Sequence, residues 1–173
     1  MAVEIRQVQD KSELKRFVQF GNELYKKNPY HVPVLIDDEL GTLDKDRNPA
    51  FEFWEAAYFL AYRNGRIVGR IAGIINHRAN ETWNQSNARF GFLDFINDNA
   101  VVDALFEVVE NWARSKGMEM LQGPMGFTDM DKEGMLIEGF DQLGTMSTIY
   151  NYAYYPKQLE RLGFVKDQDW KEF

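Results

Sequence analysis

The chain contains no cysteine, and only two histidines, His31 and His77, among its 173 residues. The absence of cysteine excludes a disulfide, a thiolate nucleophile and a cysteine-ligated zinc site. With two histidines, zinc-dependent hydrolysis and a histidine-dependent catalytic triad are poor hypotheses, and no metal site is predicted. Either histidine can still act alone as a proton acceptor or donor.

The sequence also lacks a long apolar run and an excess of basic charge. No apolar stretch approaches the roughly 18 to 20 residues that cross a bilayer, and the N-terminus has no apolar signal core. Twenty basic against twenty-seven acidic residues give a formal charge of −7, which repels a phosphate backbone. We therefore expect a soluble, cytoplasmic protein that binds neither nucleic acid nor a membrane.

Apolar and aromatic residues, by contrast, are plentiful. They make up 45% and 14% of the chain, which is typical of a folded protein. The length suits one domain with a core of its own. We expect a single domain over residues 1–173.

Hydrophobic periodicity predicts a strand at 3–8 and a helix at 11–26 that begins after Asp10. A short helical turn is expected within the following loop, at 36–43. Asn64-Gly65 lies between two apolar, β-branched runs, which is typical of a hairpin with a type I′ turn. A polar surface connection over 76–87 then leads to a third strand.

The next part of the sequence predicts a βαβ unit with parallel strands. Its segments are a strand at 88–96, a helix at 99–116 and a strand at 118–122. Alternation places Phe90, Phe92, Asp94 and Ile96 on one face, so the Asp94 carboxylate must lie at an edge, in a cleft or in a hydrogen bond. A helix at 156–162 and a strand at 164–167 close the chain. The fold class is α/β, with a mixed, mostly antiparallel sheet and helices on both faces.

Residues 122–163 have no hydrophobic periodicity. This segment combines glycines with acidic residues and clustered tyrosines: Asp129, Asp131, Glu133, Glu138, Asp141, Tyr150, Tyr152, Tyr154 and Tyr155. Long irregular segments in compact domains are commonly binding or catalytic surface. We interpret this loop as the functional site; the alternative is a connection packed on itself.

The element order, together with Leu162-Gly163-Phe164 near the end, resembles the GNAT superfamily of acyl-CoA N-acyltransferases. Three segments are similar to the N-terminal part of a group of uncharacterised GNAT-like bacterial proteins: YFLAYRNGRIVGRIAGIINHRANE, FGFLDF and GPMGFTDMDKEGMLIEGFD. The resemblance implies a three-layer GNAT-like domain that uses acyl-CoA or acetyl-CoA as co-substrate and an amine or another small molecule as acceptor.

GNAT domains hold the CoA pyrophosphate in a glycine-rich turn between the fourth strand and the next helix. Phe95, Ile96, Asn97 and Asn99 take that position here and are the implied CoA-binding residues, but the turn has no glycine. Backbone amides at the start of the following helix can still bind phosphate. The nearby carboxylates of Asp94 and Asp98 oppose it.

The resemblance also implies catalytic groups. The position of the GNAT tyrosine that protonates the CoA thiolate is Leu159, and Tyr155 is its substitute if the helix extends back through Pro156. Asp94 or Glu138 is the predicted base, and Asp131 and Glu133 are further candidates for the same role. The predicted acceptor-binding residues are Asp129, Asp131, Glu133, Tyr150, Asn151 and Tyr154.

The leading hypothesis is a GNAT-like domain that transfers an acyl group from acyl-CoA to an amine. The alternative is a non-catalytic module that binds a ligand or a second chain through the same loop, and a purely structural domain is a third hypothesis. GNAT sheets end with two late strands, whereas only one is predicted here. We therefore expect either a homodimer through the C-terminal strand, or a chain that stops short of the last strand or of a further domain.

Overall fold

The structure, a computed structural model, describes residues 2–171. The strands and helices within that range are β1 Glu4–Gln7, α1 Lys11–Tyr25, α2 Ile36–Leu43, β2 Trp54–Arg63, β3 Arg66–Asn76, α3 His77–Trp83, β4 Asn87–Phe95, α4 Asn99–Ser115, β5 Met120–Gln122 and α5 Tyr154–Arg161. A 3-10 turn, Pro49–Glu52, precedes β2.

Local sequence signals explain where several elements begin and turn. The Asp10 side chain accepts a hydrogen bond from the Glu13 amide and caps α1, as its position before an apolar stripe predicts. Asn64 and Gly65 have φ angles of 54° and 74°, which are the positive values that a type I′ hairpin turn requires. The predicted hairpin of β2 and β3 is therefore confirmed.

The sheet has the order β1-β2-β3-β4-β5, antiparallel except for the parallel pair of β4 with β5. Alternate residues of β2 face two separate cores. Phe59 and Ala61 pack with α4 and α5, while Leu60 packs with α1 and the end of α2. The predicted fold class, a mixed and mostly antiparallel sheet with helices on both faces, is confirmed.

A bulge in β4 overturns one prediction about this strand. Phe92 has φ 46°, and the register to β3 shifts opposite this point, between Arg70 and Ala72. The extra residue reverses the alternation, so Phe90 lies in the α4 core and Phe92 in the α1 core. The expectation that Phe90, Phe92 and Asp94 share one face was wrong. Asp94 is instead paired with Arg70 of β3.

Three other segments differ from the prediction. Residues 77–83 form the helix α3, because Asn76 caps it by accepting from the Ala79 amide. The last helix begins at Tyr154 rather than at Pro156, since proline is tolerated within a first helical turn. Residues 164–167 are not a strand, and the predicted pairing edge at the C-terminus is therefore absent from the described chain.

Residues 123–153 contain neither helix nor strand, as the missing periodicity predicted. Throughout residues 2–171, each helix is too short or too polar to cross a lipid bilayer.

Candidate functional site

A buried ion-pair network lies between the sheet and the helices α1 and α2. Arg70 and Asp94 are only 5% and 7% exposed, and the Arg70 Nε donates to Asp94 Oδ2 at 2.7 Å. The Arg70 Nη1 donates to Glu39 Oε1 on α2 at 2.7 Å and to the Phe17 carbonyl on α1 at 3.0 Å. One guanidinium therefore supplies the positive charge that compensates two largely buried carboxylates.

Gly21 leaves space beside α1 for the Arg70 guanidinium. A Cβ atom added to Gly21 would lie 2.5 Å from the Arg70 Nη2 and 3.1 Å from Asp94 Oδ2. Any side chain at position 21 would therefore displace the ion pair. This contact explains a glycine within α1, where glycine is otherwise unfavourable by about 1 kcal/mol relative to alanine.

A line of hydroxyl groups continues from Asp94 toward the surface. The Tyr155 hydroxyl donates to Asp94 Oδ1 at 3.2 Å, and the Tyr25 hydroxyl is 2.7 Å from that of Tyr155. The Tyr155 oxygen also accepts from the Phe95 amide at 3.1 Å. Because a hydroxyl donates one hydrogen bond and accepts two, Tyr25 is the donor to Tyr155, and the order of donors runs inward to the carboxylate.

Both hydroxyls of this line stay protonated at neutral pH. Burial raises the pKa of Tyr155 well above its ordinary value, and the Asp94 charge raises it further. The pKa of Tyr25 is raised for the same two reasons. Asp94, Tyr155 and Tyr25 thus form a hydrogen-bonded path along which a proton can move without leaving a free charge on a tyrosine.

The two tyrosines at the start of α5 lie against the end of β4, beyond the residues that pair with β5. The two strands pair only over Asn87–Arg89 and Met120–Gln122. Beyond that point the Phe95 amide is bound by Tyr155, and the Phe95 carbonyl accepts from the Tyr154 hydroxyl at 2.6 Å. The aromatic side chains therefore satisfy backbone groups that a neighbouring strand would otherwise pair.

Gly91 lets the long loop approach β4 just beyond the residues that pair with β5. The Met125 amide donates to the Phe90 carbonyl at 2.8 Å, and a Cβ atom at residue 91 would collide with the Met125 carbonyl. The loop can pass this close to the strand only because position 91 has no side chain.

The start of α4 already holds an anion. Asp98 caps the helix by accepting from the Val101 amide, and Arg63 binds the same carboxylate through two hydrogen bonds of 2.7 and 2.9 Å. Gln158 of α5 donates to the side-chain oxygens of Asn97 and Asn99 at 3.0 and 2.9 Å. The predicted CoA-binding turn is therefore built from amide side chains around a capped helix.

Replacing Asp98 with Ala is expected to lower the free energy of unfolding by about 1–2 kcal/mol, since the helix loses its cap and Arg63 loses its partner. Arg63 holds the pKa of Asp98 at about 2, below the unfolded value of about 3.9. A carboxyl group whose pKa is lower in the folded than in the unfolded protein stabilises the fold fully when the pH is above its unfolded-state pKa. That stabilisation is lost as the pH falls to the folded-state pKa. The difference between wild type and D98A, measured by urea unfolding, should therefore shrink between pH 4 and pH 2. D98N is the control that keeps a capping side chain; an equal loss for D98A at pH 7 and pH 2 would contradict this prediction.

Several predicted acceptor-binding residues shape the loop itself. Asp131 accepts from the amides of Phe127 and Thr128, and the buried Asn151 binds both the amide and the carbonyl of Leu136. Asp129 and Glu138 are exposed. Within residues 2–171, Glu138 hydrogen-bonds to neither Asp94 nor Tyr155, so the structure does not bring the three predicted catalytic residues together.

Other predicted residues do meet. Asp94, Tyr155, Tyr154 and Tyr150 belong to one cluster, because the Tyr150 ring packs edge-on against Tyr25 at 5.8 Å and Tyr154 contacts Phe95. The charge of Glu133 acts instead on Arg89, as does that of Asp131. The predicted loop therefore divides into an aromatic half at the site and an acidic half beside Arg89.

Sequence reasoning missed Arg70, Glu39 and Tyr25. One signal was available, since Arg70 interrupts the apolar run of β3 just as Asp94 interrupts β4. Two opposite charges in neighbouring buried strands indicate an ion pair. In the part of the chain that the structure describes, no group of three or more His, Asp or Glu side chains has the geometry to hold a metal ion.

Sequence comparison identifies two curated bacterial relatives. Protein YghO of Escherichia coli K12 is 32% identical over 167 residues, and a bacterial ceramide synthase of Caulobacter vibrioides is 31% identical over 163 residues. These matches cover 95% and 94% of this chain but 42% of each relative. The chain thus spans about two fifths of the length of the curated relatives it matches. No family model matches the sequence.

Solved structures with the same architecture are acetyltransferases. AAC(6')-Iy, bound to the bisubstrate analogue CoA-S-monomethyl-acetylneamine, superposes with a TM-score of 0.59 at 16% identity, over 100% of this chain and 97% of that one. A predicted acetyltransferase of Clostridium acetobutylicum with acetyl-CoA gives 0.58 at 13% identity, over 99% and 95%. A soil metagenomic aminoglycoside acetyltransferase with sisomicin gives 0.57 at 10% identity, over 99% and 94%.

Proposed function

We propose that this chain, which has the fold of the GNAT acetyltransferases, transfers an acyl group from acyl-CoA to an amine. The observation that carries the proposal is the hydrogen-bonded path from Tyr25 through Tyr155 to Asp94, at the end of β4 beyond the residues that pair with β5. Acyl transfer needs a group that moves a proton beside the reacting atoms. The buried carboxylate of Asp94 and the phenol of Tyr155 together supply such a group.

In the proposed reaction the amine nitrogen attacks the thioester carbonyl carbon, and a C–N bond forms as the C–S bond breaks. Asp94 receives a proton from the nitrogen through the hydroxyls of Tyr25 and Tyr155, and the same path returns it to the sulfur of the departing CoA. Arg70 lies 2.7 Å from Asp94 and compensates the negative charge that the carboxylate carries between turnovers. Glu138, the other predicted base, stays a prediction without a contact to this pair.

For the co-substrate, two solved structures with this fold contain acetyl-CoA or a CoA-derived analogue. We expect the phosphates to bind at the start of α4, near the predicted residues Phe95, Ile96, Asn97 and Asn99. Without a glycine turn, the donors would be the amide side chains of that turn and of Gln158, with Arg63 beside them. Asp98 competes for the helix amides and weakens this site.

The acceptor we propose is a long-chain amine. One relative at 31% identity is named a ceramide synthase, and a ceramide is an N-acylated long-chain amino alcohol. The loop that follows β5 exposes large apolar side chains among its acids: Met130, Ile137, Leu143 and Met146. Apolar surface suits the hydrocarbon chain, and acidic residues such as Asp129 suit a cationic amine.

The alternative, a non-catalytic module, is favoured by one observation. Asp98 fills the start of α4 with the chain's own carboxylate, and such an anion excludes phosphate from the helix amides. Homodimer formation and a cytoplasmic location also stay predictions. With no strand at 164–167, a dimer would need another surface, and light scattering at increasing concentration tests it.

The test is calorimetric titration with CoA, acetyl-CoA and palmitoyl-CoA, followed by mass spectrometry of reactions that contain sphinganine or a short diamine as acceptor. We expect micromolar binding of the acyl-CoA and an amide product that forms faster from sphinganine. Binding without product supports the non-catalytic module, and no binding at millimolar CoA overturns acyl transfer for this chain.

A further inference from the structure

We propose that His31 removes the first proton from the ammonium form of the acceptor and passes it to solvent. This inference rests on the proposed acyl transfer and adds a second proton acceptor to it. It separates two proton transfers that the Asp94 and Tyr155 pair cannot both perform.

The stoichiometry of the reaction requires two routes. A long-chain amine has a pKa near that of lysine, about 10, and therefore arrives at neutral pH as an ammonium ion without a lone pair. Forming an amide from it releases two protons, of which one ends on the CoA sulfur and the other in solvent. The buried pair of Tyr155 and Asp94 suits the retained proton, and the released proton needs a base in contact with water.

His31 lies at the outer end of the hydroxyl path. Its ring stacks on Tyr25, with centroids 4.5 Å apart, and meets the edge of Tyr150 at 5.9 Å. The side chain is half-buried, so that one part contacts the aromatic cluster and another reaches solvent. Within residues 2–171 neither ring nitrogen forms a hydrogen bond, which leaves a lone pair available to an incoming ammonium ion.

The surroundings of His31 keep the imidazole neutral. Burial lowers the pKa of His31 below its ordinary value, which is about 6.5, and the positive charges of Lys132 and Arg70 act in the same direction. The carboxylate of Asp94 opposes them. The contacting rings, Tyr25 and Tyr150, carry hydroxyls that donate to Tyr155 and to the Phe140 carbonyl. A neutral imidazole at pH 7 is the form that accepts a proton.

The other candidate bases do not fit this role. Both oxygens of Asp94 are already bound, one by Arg70 and one by Tyr155. His77 is exposed at the start of α3 and faces Glu55 at 3.3 Å, away from the aromatic cluster. His77 therefore serves as the matched control.

The experiment compares wild type, H31Q and H77Q in sphinganine acylation between pH 6 and pH 10. At pH 7 we expect H31Q to be slower by about 100-fold. The loss should shrink to a few fold near pH 10, because the amine then loses its own proton. Imidazole added to H31A should restore part of the rate at pH 7, while H77Q should follow wild type throughout.

The outcomes separate this inference from the proposed function. If wild type acylates sphinganine and H31Q matches it at pH 7, or loses the same factor at every pH, the role of His31 is overturned while acyl transfer stands. A loss that imidazole does not relieve in H31A also counts against proton removal. If wild type forms no amide with any amine, both proposals fall. Thermal unfolding of H31Q and H31A excludes misfolding as the cause of a loss.

Discussion

Replacing Arg70 with Met is expected to lower the free energy of unfolding by about 3–5 kcal/mol. Methionine can fill the apolar part of the space, but it leaves the carboxylates of Asp94 and Glu39 buried without their common partner. The Phe17 carbonyl also loses its donor. Such unpaired buried groups cost more than a lost surface contact. Urea unfolding at pH 7 measures the change.

Two variants separate the charge from the packing. R70M combined with D94N and E39Q should regain part of the loss, because no uncompensated charge remains. R66M, on the exposed start of the same strand, should change stability by less than about 0.5 kcal/mol. An R70M loss below about 1 kcal/mol would mean that the network contributes little to folding.

Replacing Tyr155 with Phe is expected to slow acyl transfer by about 100-fold, as is replacing Asp94 with Asn. Either change breaks the path through which the proton is proposed to move. The phenylalanine ring of Y155F would still stack on Phe95, as the ring of Tyr155 does at 4.2 Å. The rate constant kcat should fall with little change in KM, because the interaction belongs to the reacting state.

The matched control is Tyr58→Phe. Tyr58 is also a buried tyrosine, and its hydroxyl donates to the Leu43 carbonyl at 2.9 Å, but it lies in the core on the α1 side of the sheet. Y58F should lose about 1 kcal/mol of stability and Y155F about 1–3 kcal/mol, because the Tyr155 hydroxyl has three buried partners; only Y155F should lose activity. Equal rates for Y155F and wild type would remove Tyr155 from the proposed mechanism.

The predictions from the sequence agree with the structure where a feature depends on residues that are close together along the chain. The hairpin at Asn64-Gly65, the cap at Asp10 and the apolar stripe of α4 depend on residues within one or two turns of each other. Such local preferences act on the chain before it folds, so periodicity and turn chemistry identify them. The GNAT-like order of elements followed from these signals.

The site depends on contacts that no local pattern records. Arg70 was visible in the sequence as a charge within an apolar strand, but its partners, Glu39 and Asp94, lie 31 and 24 residues away. The bulge at Phe92 decides that Asp94 faces α1 rather than the Phe90 core. It depends on the register between β3 and β4, and a shift of one residue in that register reverses the face of every residue that follows.

The sequence by itself therefore determined most of the elements, their order and the residue types available for chemistry. Tertiary structure alone decided that His31, Tyr25, Tyr155 and Asp94 form one cluster, because α5 begins early enough to place the Tyr155 hydroxyl against the end of β4. The position of the proposed proton path is set by packing between distant segments, and packing is a property of the folded chain rather than of any stretch of it.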